Sequence, residues 1–318
     1  MSEVIEADFI IPVSLGEQRL DRALAELMPE HSRSRIQGWI KSGAVNVNGQ
    51  VVRPRDKVAT DDVVSVHAEI ESQERWEAED IAIDIIYEDD HIIVLNKPAG
   101  LVVHPAAGHA SGTLVNALLH HYPDIAKLPR AGIVHRLDKD TTGLMVVAKS
   151  LVAHTSIVDQ LQTRTMGREY EAIVTGVMTG GGCVDQAMAR HPQNRIKMAV
   201  HPFGKPAVTH YRLIERFDAH THIRLKLETG RTHQIRVHMT HLHYPLVGDP
   251  VYGGRLRLPA GASEEVADAV RDFKRQALHA KKLTLIHPES GEEMSWEVDL
   301  PEDMVYLLTM LKQHHAEE

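Results

Sequence analysis

From about residue 81 onward, apolar runs of strand length recur between turn and helix signals. They are HIIVLNKP (91–98), GLMVVAKS (143–150), EYEAIVTGVM (169–178), AVTHYRLIERF (207–217), HIRLKLETG (222–230), ALHAKKLTLI (277–286) and MSWEVDLP (294–301). Their β-branched content and short length favour strands over buried helices. Helical spacing interrupts them in GTLVNALLHHY (112–122), in SLVAHTSIVDQLQTR (150–164), near 263–275 and at the C-terminal end. In THQIRVHMTHL, Ile235, Met239 and Leu242 share a helix face, with Thr232 as the expected N-cap. Strands that outnumber their helices, several in direct succession, predict an α+β domain built on a mixed, largely antiparallel sheet over 81–318.

A smaller unit precedes it over 15–68. LGEQRLDRALAELMP aligns Leu20, Leu24 and Leu27 on one helical face, and SRSRIQGWIKSG predicts a second helix with Ser32 as its N-cap. VNVNGQVV signals a hairpin around Asn48-Gly49, and DDVVSVHA a further strand. Between the two units, 69–80 reads as an acidic linker. Ten acids against one base over 69–90 account for the whole net charge of −9, so the rest of the chain is neutral overall and carries local basic patches.

Two patches stand out. Arg33, Arg35 and Lys41 cluster on the second helix of the small unit. Residues 186–214 hold Arg190, Arg195, Lys197, Lys205 and Arg212 with no acid among them, a ribbon suited to a phosphate backbone. Aromatic content is only 4%, too low for a stacking platform along a long single strand; an RNA partner would be held by shape and phosphate contacts with a base extracted.

Other function classes are excluded by pattern. The single cysteine, Cys183, rules out an intramolecular disulfide and CxxC sites. The order of HRLD and VVAK is wrong for a protein kinase, and DTTG occurs once, without a partner for a carboxylate dyad. His233, His238, His241 and His243 lie close in sequence, yet no HExxH or carboxylate spacing accompanies them, and no metal site is expected. No apolar run reaches membrane-spanning length, and the acidic start MSEVIEAD does not resemble a targeting segment, so a cytoplasmic location is expected.

The stretch RLDRALAELMPEHSRSRIQGWIKSGAVNVNG is similar to the small RNA-binding domain first known from the fourth small-subunit ribosomal protein. That resemblance implies that Arg33, Arg35 and Lys41 face RNA phosphate. LNKPAGLVVHP, GIVHRLDKDTTGLMVVAKS, REYEAIVTG, HPFGKPAVTHYR, LETGRTHQIRVHM and HYPLVGDPVYGG, in this order, resemble the RluA-type family of RNA pseudouridine synthases. The resemblance covers nearly the whole chain and implies the fold of those enzymes. It also implies isomerisation of uridine to pseudouridine without a cofactor, with 23S rRNA or a large-subunit precursor as partner and uridines of the helix 69 loop as targets. A non-enzymatic rRNA-binding assembly factor is the alternative.

The resemblance makes Asp138 the catalytic aspartate, Tyr170 the active-site tyrosine and Arg231 the arginine that pairs with the aspartate. Arg136 becomes the residue that displaces the target nucleotide, and Lys97 and His104 structural supports. Asp140 is expected to matter for stability rather than turnover. The chemistry is coherent, because cleavage at an anomeric carbon suits a carboxylate, and the uracil ring itself can delocalise the leaving charge.

Overall fold

The computed structural model describes residues 3–29, 31, 33–70, 76–105, 111–194 and 196–317, which fall into two compact units, 1–75 and 76–318. The expected caps Ser32 and the ribbon residue Arg195 lie outside the described residues.

In the first unit, β1 (Glu3–Ile10), β4 (Val63–Ile70), β2 (Val45–Val47) and β3 (Gln50–Val51) form an antiparallel sheet in that order, with α1 (Leu20–Leu27) and α2 (Arg33–Ser42) between β1 and β2 in the chain. The strand β1, which no sequence signal marked, pairs with β4 along its whole length. The β2–β3 hairpin turns through Asn48 and Gly49, both at positive φ (50° and 77°), as a two-residue turn of this hand requires. Leu20, Ala23 and Leu24 from α1 and Ile36, Trp39 and Ile40 from α2 close the core against Val45, Val64 and Val66. The charged network at this helix pair centres on Asp21. Its buried carboxylate accepts from the guanidinium groups of Arg19 and Arg33 (2.9 and 3.0 Å). Burial opposes the charge on Asp21, and the bonds from Arg19, Gln37 and Arg33 outweigh it, so its pKa lies below the usual carboxylate range.

The second unit begins earlier than the linker reading allowed. Trp76 packs edge-on against His104, and the Glu77 and Glu79 backbone hydrogen-bonds Asn116. Among the described residues nine strands make one sheet in the order β5 (Asp84–Glu88), β6 (Ile92–Lys97), β7 (Thr142–Ala148), β14 (Leu278–Ile286), β8 (Gly167–Thr175), β13 (His220–Leu227), β12 (Val208–Arg216) and β9 (Gly182–Asp185), with β15 (Glu293–Glu297) also paired to β14. A separate hairpin joins β10 (Met188–Arg190) to β11 (Met198–Val200). Every named ladder of the large sheet is antiparallel except β7 with β14.

Strand β7 explains its all-apolar sequence by being covered on both faces. Met145 and Val147 join the cluster beneath α3 (Leu114–His121), while Leu144, Val146 and Ala148 join Ala153 and Ile157 of α4 (Leu151–Gln162). Each of the larger side chains among these contributes about 1.5–3 kcal/mol on burial. At the start of β7, Gly143 has φ 109°, and a Cβ there would sit 2.3 Å from the Ala280 carbonyl oxygen. A glycine is therefore needed for β7 to lie against β14, and this contact sets where the preceding loop, 133–141, is delivered. The remaining helices are α5 (Gln234–His241), α6 (Glu264–Asp272) and α7 (Glu302–Glu317); α6 and α7 pack Val270, Phe273, Met304, Leu307 and Leu311 together. No helix among the described residues is long and apolar enough to cross a membrane.

Candidate active site

Strand order brings the site together. Ala280 of β14 lies opposite Tyr170 of β8, and β14 also borders the start of β7 at Thr142 and Gly143. The loop ending in Asp138–Thr141 therefore arrives beside Tyr170 from two strands away. On the other side of β8, Leu225 of β13 is opposite Tyr170, and the chain leaving β13 runs into α5. A cavity of about 960 Å³ opens between these segments, lined by Asp138, Arg136, Tyr170, Arg168, His233 and Arg236 together with apolar residues such as Val103, Ile133, Leu137 and Leu278.

The loop that carries Asp138 is fixed by its backbone. Lys97, fully buried, donates from Nζ to the carbonyls of Pro98, Leu101 and Lys139 (2.7, 2.9 and 2.8 Å). Arg275 donates to the Asp140 carbonyl, Gln276 to the Thr141 hydroxyl, and the Thr141 amide closes a turn onto the Asp138 carbonyl. His135 accepts from the Val146 amide at 3.1 Å. Burial, with Arg168 nearby, depresses its pKa to about 3, so the ring is neutral and free to accept. Asp140 thus acts through its carbonyl. Its carboxylate has a longer-range role, since the charges of Asp140 and Asp138 partly offset the burial that lowers the Lys97 pKa to about 8.

The Lys97 arrangement predicts a measurable pH signature. Its folded pKa of about 8 lies below its ordinary 10.5, so over that interval the unfolded chain binds a proton that the folded one does not, and folding gains stability as pH rises. Lys97→Met would strand three carbonyls and lower stability by roughly 3 kcal/mol. Its melting temperature should also lack the wild-type gain between about pH 8 and 10.5, and kcat should fall with KM little changed as the Lys139 carbonyl loses its anchor. Thermal melts across that range and steady-state kinetics check both parts.

Asp138 itself keeps 18% side-chain exposure, and its Oδ2 accepts from Arg236 Nη1 at 3.0 Å. Arg236 Nε and Nη2 form a two-pronged pair with Asp249 (2.7 and 2.8 Å), and Asp249 Oδ1 also accepts from the amides of Val251 and Tyr252. Burial would lower the Arg236 pKa, but Asp249 first and Asp138 second more than reverse this; for Asp249 burial raises and Arg236 lowers, with a net shift downward. The guanidinium is thereby fixed by one carboxylate and presents its remaining edge to the other. His233 Nε2 lies 3.9 Å from Asp138 Oδ1, and its Nδ1 is 2.8 Å from the Tyr252 hydroxyl. Tyr170 is 6% exposed, and burial raises its phenol pKa, which keeps it protonated at neutral pH.

The arginine paired with Asp138 is therefore Arg236, a correction to the expectation placed on Arg231. Arg231 lines the cavity but donates from Nε to the Pro206 carbonyl at 3.0 Å. The reason is local. Helix α5 starts one residue later than the Thr232 cap implied, because His233 adopts a left-handed backbone (φ 58°) at the cap position with no side-chain cap bond. Gln234 then accepts from the Arg231 amide and the Thr229 hydroxyl and donates to the Val208 carbonyl and the Thr209 hydroxyl. This plug sets the rotation of α5 that turns Arg236 toward Asp138. A basic residue between the apolar Ile235 and Val237 of a buried helix was the available signal.

Other expected residues are dispersed. Arg136 is exposed at the cavity. On the β10–β11 hairpin segment, Arg190 and Lys205 are exposed and Lys197 lies over the Tyr252 ring at 5.9 Å, so this ribbon reaches the site through Tyr252. In the first unit Lys41 is exposed, Arg35 is half-buried, and Arg33 is engaged by Asp21 while retaining about half its side-chain exposure. His104 lines the cavity beside Trp76. His238 uses both ring nitrogens inside the protein, toward Thr209 and the Gln186 carbonyl.

Residues 91–241 match the family model described as RNA pseudouridylate synthase, and 18–64 match the S4 domain. The chain is 61% identical over 313 residues to ribosomal large subunit pseudouridine synthase D of Pseudomonas aeruginosa, covering 98% of each chain. It is 59% identical over 305 residues to the protein of the same name from Escherichia coli K12, covering 95% of this chain and 94% of that one. Among solved structures, human RNA pseudouridylate synthase domain containing 4 is similar, with a TM-score of 0.55 and 27% identity over 72% of this chain and 93% of that one.

Proposed function

The chain belongs to the RNA pseudouridylate synthase family and is an isomerase of uridine in ribosomal RNA, and from that premise we propose that Asp138 carries the chemistry on uridines of the large-subunit 23S rRNA. The observation that carries this reading is a single cavity in which the Asp138 carboxylate is held by Arg236 next to Tyr170. A protein that only bound rRNA would need no such carboxylate–guanidinium–carboxylate array, so the assembly-factor alternative gives way.

Asp138 acts at the sugar, either adding to C1′ or taking the C2′ proton, while Arg236 sets the direction of its lone pairs. Tyr170, protonated and on the cavity wall, stacks on the extracted base and guides its turn. Arg136 at the rim fills the place that the base vacates. The apolar lining keeps water from the sugar during the interval when the base is detached. Lys41 and Arg35 of the S4 unit and Arg190, Lys197 and Lys205 of the ribbon supply phosphate contacts.

Two measurements test this. Tritium release from an rRNA transcript labelled at uracil C5, with no cofactor added, should follow enzyme concentration. Pseudouridine mapping of 23S rRNA from a strain lacking the gene should show loss at helix 69; intact helix 69 pseudouridines with loss elsewhere would reassign the target.

A further inference from the structure

Arg168 lies two residues before Tyr170 on β8 and so faces the same side of the strand, into the cavity. It is 5% exposed. Among the described residues its Nε has no hydrogen-bond partner, and Nη2 approaches the Glu228 carbonyl only at 3.4 Å. Among the described residues no carboxylate pairs with it, unlike Arg236, which holds two. The guanidinium lies close against Gly230, where a Cβ would sit 2.6 Å from Arg168 Nη1. Burial lowers the Arg168 pKa, with the nearby Tyr170 as the opposing influence. A desolvated guanidinium without a counter-charge is costly to keep in a folded protein unless a ligand completes it.

We propose that Arg168 is a catalytic residue that binds the uracil ring through O2 and stabilises the uracil anion formed when the base leaves the sugar. This rests on the reading of Asp138 as the group that acts at the sugar. As the C1′–N1 bond breaks, its electron pair passes to N1 and spreads onto O2 and O4. Arg168 donates an N–H to O2 and gives up no proton. The ring turns and C5 bonds to C1′ as the Asp138 carboxylate leaves C1′ or, on the other route, returns its proton to C2′. The C5 proton leaves to solvent and N1 regains a proton, so the product is an isomer of the substrate. The alternative anion, a backbone phosphate, is disfavoured by place. Phosphates stay with the chain at the surface, near the exposed Arg136, whereas Arg168 is 5% exposed in a cavity whose lining also includes Val103, Ile133, Leu137 and Leu278, apolar surface that fits a flat ring.

The test uses the full-length protein and an rRNA transcript under single-turnover conditions. Arg168→Met should slow uridine consumption by about 10²–10³-fold, as for loss of one donor to a developing oxyanion. RNA Kd should stay within about threefold, and the melting temperature should hold or rise because an unpaired buried cation is gone. With 5-fluorouridine at the target position the fluorine stabilises the departing anion by itself, so the loss in substrate consumption should shrink to about tenfold or less. Arg168→Lys should recover part of the rate. The proposal is overturned by a near-wild-type rate, by an equal loss for uridine and 5-fluorouridine, or by a loss explained by weaker RNA binding, which would mark a phosphate contact. It is overturned equally by a variant that melts early or fails to fold, which would make Arg168 structural. Undiminished turnover in Asp138→Asn would instead remove the reading on which the proposal rests.

Discussion

Asp138→Asn should form no measurable pseudouridine, a loss of roughly 10⁴-fold or more in single-turnover rate, as expected when the group that contacts the reacting atoms is removed. Its stability should change by about 1 kcal/mol or less, because the amide oxygen can still accept from Arg236 Nη1 and Arg236 keeps its two bonds to Asp249. RNA affinity should be retained, since the basic patches are untouched. Asp140→Asn is the matched control. Its carbonyl, not its carboxylate, is bonded to Arg275, so turnover should stay within about threefold and stability should fall only slightly through the weakened field at Lys97. Mass-spectrometric quantification of pseudouridine beside thermal melts decides both; an active Asp138→Asn protein would end the assignment.

Arg236 carries the second large effect, and here activity and stability fall together. Arg236→Met leaves the Asp249 carboxylate, which has no exposed side-chain surface, without its counter-charge, and should destabilise by about 3–5 kcal/mol. The pH dependence should also reverse. In the wild type the folded pKa of Asp249 lies below its ordinary 3.8, so its contribution is complete above that value and is lost only as pH falls through the lower folded one. Without Arg236, burial dominates and raises the folded pKa of Asp249. The variant then binds a proton more tightly when folded and gains stability as pH falls from neutrality toward the carboxylate range. The double variant Arg236→Met, Asp249→Leu should regain most of the stability but no turnover, which separates the role in folding from the role at Asp138. Arg231→Lys should keep turnover within about threefold, since the Arg231 side chain bonds the Pro206 carbonyl rather than Asp138. Near-normal turnover in the double variant would show that Arg236 does not orient Asp138.

The contrast between Arg231 and Arg236 shows where legibility stops. Strand-length apolar runs report two-sided burial directly, as in β6 and β7, so the α+β class and the largely antiparallel sheet follow from pattern. The Asn48-Gly49 hairpin follows from the backbone freedom of its two residues. The segments around Asp138 and Tyr170 could be matched in sequence because each is a contiguous run, one leading into β7 and the other lying within β8. By contrast, β1 has no distinctive pattern until β4 is beside it, and 76–80 look like linker until Asn116 and His104 are in place.

The sequence by itself determined the kinds of element, their two-unit grouping, and the expectation placed on Asp138 and Tyr170, which the fold brings to one cavity. Only the tertiary structure decided which arginine meets Asp138, that Asp249 holds that arginine, that Lys97 clasps the Lys139 carbonyl, and that Arg168 is buried with no carboxylate paired to it among the described residues. The physical reason is that periodicity encodes which face a residue takes within its own element. The rotation of α5 depends on a left-handed His233 and on the hydrogen bonds of Gln234 to neighbouring strands, and these long-range contacts leave no local trace.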